Sequence, residues 1–92
     1  MNVIVGDKVI IQRHRRTGTK YYLAKVIQLS PGVPPASFDE RDKWVAHLET
    51  ILNADTGKKY KRKEQALVGQ LISLEEFIDD KRVLIKELET HL

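Results

Sequence analysis

Two stretches of this chain crowd positive charge beside tyrosine. Arg13, Arg15 and Arg16, with Lys20 close behind, precede Tyr21 and Tyr22, and Lys58, Lys59, Lys61, Arg62 and Lys63 surround Tyr60. Guanidinium and ammonium groups bind phosphate oxygens and aromatic rings stack on bases. The chemistry on offer is therefore that of a nucleic-acid surface, DNA or RNA, with weak sequence preference. The plain alternative is a solvated face that only keeps the chain soluble. Charge segregation sets the two readings level. Residues 1–63 hold 13 Lys and Arg against six Asp and Glu, whereas residues 64–92 hold three against seven. Such an imbalance suggests an anionic partner for the basic part.

Other chemistries find no residues to carry them. His14, His47 and His91 are far apart, none has a second histidine or cysteine at a ligand spacing, and the chain has no cysteine, so no metal site is expected. Asp39, Glu40 and Asp42 are interleaved with Arg41 and Lys43 and lack the repeating oxygen ligands of a calcium loop. There is no nucleophile elbow, no phosphate-cradling glycine loop and no Ser/His/Asp order. No enzyme and no cofactor are expected. The absence of cysteine suits a reducing compartment. The start Met1-Asn2-Val3-Ile4-Val5-Gly6-Asp7 lacks the basic end and long apolar core of a signal peptide, and no apolar run approaches the ~20 residues that cross a bilayer. A cytoplasmic protein without membrane contact is the expectation.

The elements that must position these cations follow from apolar periodicity. Lys8–Arg13 is β-branched and follows a Gly6-Asp7 turn signal, and 20–29 is a second such run. The polar stretch Arg13–Thr19 between them reads as a hairpin loop, so the two strands should pair antiparallel. Ser30–Ser37 holds all three prolines, which makes 30–43 a proline-rich loop. Ser37 and Glu40 have the form of a capping box, allowing at most one helical turn. From Trp44 onward two-residue alternation fits better. Trp44, Ala46, Leu48, Thr50 and Leu52 share one face of a strand near 44–54. A tight turn at 53–58 leads to a strand near 58–63, and 66–72, with Gly69 marking a bulge, reads as a short fifth strand.

Ser73 and Glu76 open an amphipathic helix over 73–92, with Leu74, Phe77, Ile78, Leu84, Ile85, Leu88 and Leu92 on one stripe that Lys81 interrupts. The chain thus reads as a single domain, 1–92. It is mainly β, a small five-stranded bent barrel over 1–72 with a C-terminal amphipathic α-helix over one open end.

Val5-Gly6-Asp7-Lys8-Val9-Ile10-Ile11, a polar loop, then Tyr21-Tyr22-Leu23-Ala24-Lys25-Val26-Ile27 resembles the opening of KOW and Tudor-like domains. The resemblance covers residues 5–29 and implies a Src-homology-3-like barrel. A Tudor-like reading further implies that several of Tyr21, Tyr22, Phe38, Trp44 and Tyr60 converge as a cage for a methylated ammonium. Core packing is the commoner fate of aromatics in so small a chain, and Tyr22, sharing a face with Ala24 and Val26, reads as core.

The function expected is a small non-enzymatic nucleic-acid-binding module. Its contacts would be Arg13, Arg15, Arg16, Lys20, Lys58, Lys59, Tyr60, Lys61, Arg62 and Lys63, about 6–8 usable charges if both basic turns lie on one side. The alternative is a protein-interaction module, an accessory or regulatory subunit that meets an acidic or modified partner on the basic rim or through the helix.

Overall fold

A computed structural model describes residues 3–32 and 34–81. The chain is mainly β. Five strands form one antiparallel sheet: β1 (Lys8–Arg15), β2 (Gly18–Ser30), β3 (Val45–Asn53), β4 (Lys59–Leu67) and β5 (Ile72–Ser73), in the linear order β4-β3-β2-β1-β5. A short helix, α1 (Leu74–Lys81), follows β5 directly. The rest of the predicted helix, including Leu84, Ile85, Leu88 and Leu92, lies outside the described residues.

Strands β1 and β2 pair as expected, but their register runs to Arg15↔Gly18. The loop therefore shrinks to Arg16-Thr17, with Gly18 at φ 123°, a conformation open to glycine and strained for other residues. Arg13, His14, Arg15, Gly18 and Thr19 are ladder residues, not loop residues, and Lys20 is in the ladder as expected. A cationic strand end with no apolar alternation gives no pattern to read, which is why the sequence suggested a longer loop.

Strand β3 begins at Val45, and its alternation buries Ala46, Leu48 and Thr50. The pattern then breaks. Leu23 pairs with Leu52 and Ala24 with Thr50, so Ile51 is the extra residue of a β-bulge. The bulge turns Leu52 to the other face, against the expectation that it continues the Ala46–Thr50 row. Two apolar clusters result, one on each face. The inner face holds Val9, Ile11, Ala24, Val26, Ala46, Leu48 and Ala66, joined by Val3, Val68 and Leu71. The outer face holds Ile10, Leu23, Leu52 and Ala54 under Leu74 and Phe77 of α1. Consecutive residues Val9, Ile10 and Ile11 are thus all buried, as a strand covered on both faces requires.

Residues 66–72 do not form one strand. β4 runs on to Leu67, a 3-10 turn occupies Val68–Gln70, and β5 is only Ile72–Ser73, paired to β1 at Val9 and Ile10. Gly69 sits in the 3-10 turn and marks no bulge. Its ideal Cβ position lies 3.0 Å from Asp42 Cβ and 3.2 Å from the Asp42 carbonyl, so a bare backbone is needed where the two 3-10 segments touch.

The other 3-10 segment, Phe38–Lys43, is helical after Ser37 but runs to two tight turns joined by a kink at Glu40, where at most one turn was expected. The Glu40 carboxylate accepts from the Ser37 N–H at 3.3 Å and from its hydroxyl at 3.0 Å. At the start of α1, the Ser73 hydroxyl accepts from the Glu76 N–H at 3.1 Å, the cap its position suggested.

Candidate nucleic-acid interface

An antiparallel meander returns every second turn to the same end of the sheet. β1 and β2 turn at Arg16-Thr17, and β3 and β4 turn at 54–58, so both basic hairpins lie at one end. The second turn is built by Asn53. Its side-chain oxygen accepts from the Asp55 and Thr56 N–H groups at 2.7 and 3.0 Å, while its own N–H donates to the Lys58 carbonyl at 2.8 Å. Tyr22 is level with Asn53, and the first hairpin continues past that level to Gly18. Four further residues at ~3.3 Å each make an overhang of about 13 Å.

Alternation then sorts the cations by face. Arg13 pairs with Lys20 and Ile11 with Tyr22, placing Arg13, Arg15, Lys20 and Tyr22 on the inner face. Thr50 pairs with Arg62 and Leu48 with Glu64, so Tyr60, Arg62 and Glu64 join them. Leu52 pairs with Lys59 and Glu49 with Lys63, so Lys59, Lys61 and Lys63 stand on the outer face, the one that carries α1. The sequence cluster 58–63 is therefore two clusters, one per face, because residues adjacent in a strand point in opposite directions.

On the inner face the rings and charges meet. Tyr22 and Tyr60 stand edge to face, centroids 5.7 Å apart and planes at 84°. Lys58 Nζ lies 5.5 Å and the Arg62 guanidinium 6.0 Å from the Tyr60 ring centre. Both tyrosines are half-buried, while Arg15, Arg16, Lys20, Lys58, Lys59, Lys61, Arg62 and Lys63 are exposed. Below them Arg13 is committed internally. Its Nη2 lies 3.4 Å from Glu64 Oε2 and donates to the Gln65 carbonyl at 3.0 Å. Arg62 reaches the other oxygen of Glu64 at 3.8 Å.

The aromatics do not converge as a cage. Tyr21 stacks at a tilt on Phe77 of α1, centroids 5.1 Å apart, on the outer face. Phe38 and Trp44 lie together in the proline-loop region, with the Arg41 guanidinium 5.2 Å and 4.7 Å from their rings. Arg41 also donates to the Val3 carbonyl at 2.9 Å, and Trp44 Nε1 donates to the Ser37 carbonyl at 3.0 Å. Sequence separation alone could not reveal this three-way division, which follows from strand register.

A cleft of about 590 Å³ runs beside Ile11, Gln12, Arg13 and His14 on one wall and Ala66, Gly69 and Gln70 on the other. Among the described residues, no group of three or more His, Asp or Glu side chains is placed to hold a metal ion, and no helix is long and apolar enough to cross a membrane. Comparison with protein-family models, with curated proteins and with solved structures finds no match, so any assignment rests on these distances and registers.

Proposed function

We propose that this chain is a small non-enzymatic nucleic-acid-binding module that holds phosphates, DNA or RNA with weak sequence preference, on the inner-face rim where its two basic hairpins meet. The observation that carries the reading is the placement of Lys20, Lys58 and Arg62 around the Tyr22–Tyr60 pair at one end of the sheet. Cations beside aromatic rings offer phosphate contacts and a surface for bases together.

A Src-homology-3-like barrel, as in KOW and Tudor-like domains, is the fold we infer for it. The linear order with β5 beside β1, the 3-10 turn before that short strand, and the contact of β1 with β4 through Arg13 and Glu64 support this reading.

The face division makes the proposal testable. Fluorescence anisotropy with a labelled oligonucleotide should show a fall of about 100-fold when Arg15, Lys20, Lys58 and Arg62 are changed together to Gln, each lost phosphate contact adding to the loss. The same change at Lys59, Lys61 and Lys63 should cost much less. Equal losses from the two sets would remove the inner face as the footprint. An acidic peptide that binds as tightly as the oligonucleotide would favour the alternative, a protein partner on the same rim.

A further inference from the structure

We infer that the inner-face rim takes single-stranded nucleic acid in preference to duplex, with Tyr60 as the stacking platform. The inference rests on the nucleic-acid reading above and adds which strand state fits.

The rings do not stand on a projecting surface. Tyr22 and Tyr60 are set back behind the β1–β2 overhang, half-buried, and a duplex approaching this end meets the exposed hairpin tip at Arg15 and Arg16 first. In a duplex the faces of the bases are stacked on one another, and a tyrosine reaches one only if the base is unpaired and pulled out of the stack. An unpaired strand turns its bases inward without that step.

Glu64 follows Arg62 on the same face, mostly shielded at 15% side-chain exposure, and its charge is already met by Arg13 at 3.4 Å and Arg62 at 3.8 Å. Lys20 and Lys58, exposed at the rim, remain for phosphates. A strand held there by its backbone can turn its uncharged bases toward the rings.

The cations beside Tyr60 suit this role. Lys58 and Arg62 flank it two residues away on either side and sit 5.5 and 6.0 Å from its ring centre, near the outer limit of about 6 Å for attraction to the ring. An arriving base displaces the flexible Lys58 ammonium toward a phosphate and is sandwiched by the ring or by the Arg62 guanidinium plane.

The test compares a labelled 12-nucleotide thymidine oligomer with a duplex of equal length by anisotropy at low salt. Single-strand affinity should exceed duplex affinity at least about tenfold, and its logarithm should fall with log salt at a slope of about −0.7 per phosphate engaged. Tyr60→Leu, which keeps apolar bulk against Tyr22, should lose about tenfold on the single strand and little on duplex, and Tyr60→Phe should restore it. A thermal melt checks that each variant is folded. Equal or tighter duplex binding, or a folded Tyr60→Leu that binds single strands at full strength, overturns the strand preference and leaves the rim standing. Failure to bind either form overturns the nucleic-acid reading and this inference with it.

Discussion

The Arg13 guanidinium on β1 touches the Glu64 carboxylate on β4 at 3.4 Å, although β2 and β3 separate those strands in the sheet. Strands spaced ~4.8 Å apart would put β1 and β4 about 14 Å from each other in a flat sheet. The contact, with the 3.0 Å bond to the Gln65 carbonyl, requires a curved sheet, with a side chain reaching from its first strand to its fourth.

Removing that bridge should loosen the curl. Arg13→Met keeps the aliphatic stem and deletes the charge, leaving Glu64 shielded with Arg62 3.8 Å away. A loss of about 1–2 kcal/mol is expected, read as a fall of roughly 4–16 °C in Tm. A cycle with Glu64→Gln should show coupling of about 1 kcal/mol, and additive losses would show that the pair does not act as one.

Phe77 fills the outer-face cluster at 2% exposure against Tyr21, Ile10 and Leu23. Phe77→Ala should cost about 3–5 kcal/mol. Urea denaturation followed by circular dichroism measures this, and a loss below about 1 kcal/mol would mean that α1 contributes little to the fold.

Gly69→Ala places a methyl carbon 3.0 Å from Asp42 Cβ and 3.2 Å from its carbonyl. Backbone cannot swing aside as a side-chain tip does, so a loss of about 1–3 kcal/mol is expected. Because the 3-10 segment carrying Asp42 leads directly into Trp44, the shift should appear in tryptophan fluorescence as well as in the melt.

The Lys43 ammonium, 2.8 Å away, and the Ser37 N–H and hydroxyl hold Glu40 down to about 2 from an ordinary 4.5. A folded-state value below the unfolded one contributes stability above about pH 4.5, and that contribution is lost as pH falls toward about 2. The group is exposed to solvent, so the effect is small. Wild type should lose slightly more Tm than Glu40→Gln between about pH 5 and pH 2.5, and identical profiles would mean the pair adds nothing.

Periodicity made the mainly β character, the antiparallel first pair, the turn at Asn53 and the Ser73 cap legible, because each rests on local residue chemistry. Strand β4 was legible only at its start. Its Lys61-Arg62-Lys63-Glu64-Gln65 run is exposed at nearly every position, so burial left no alternation beyond the tyrosine. The bulge at Ile51 was silent for a different reason: an extra β-branched residue in a strand looks like any other strand residue. The composition of the basic site was legible and its geometry was not. Which of the other nine candidate residues share a face with Tyr60, and that Arg13 turns inward to Glu64, depend on pairing between strands far apart in sequence.

Ile51 has one more effect. By flipping the face of Leu52, a single inserted residue lets β3 serve the inner cluster along most of its length and the outer cluster at its end. The two clusters share backbone but no side chains, so the sheet is a party wall between two rooms. Undocking α1 uncovers Ile10, Leu23 and Leu52 while Val9, Ile11, Ala24 and Leu48 keep their neighbours. Amide exchange at β1 and β2 can then stay slow through fluctuations that release the helix, and the Tyr22–Tyr60 pair, which belongs to the inner room, keeps its place while the outer one opens.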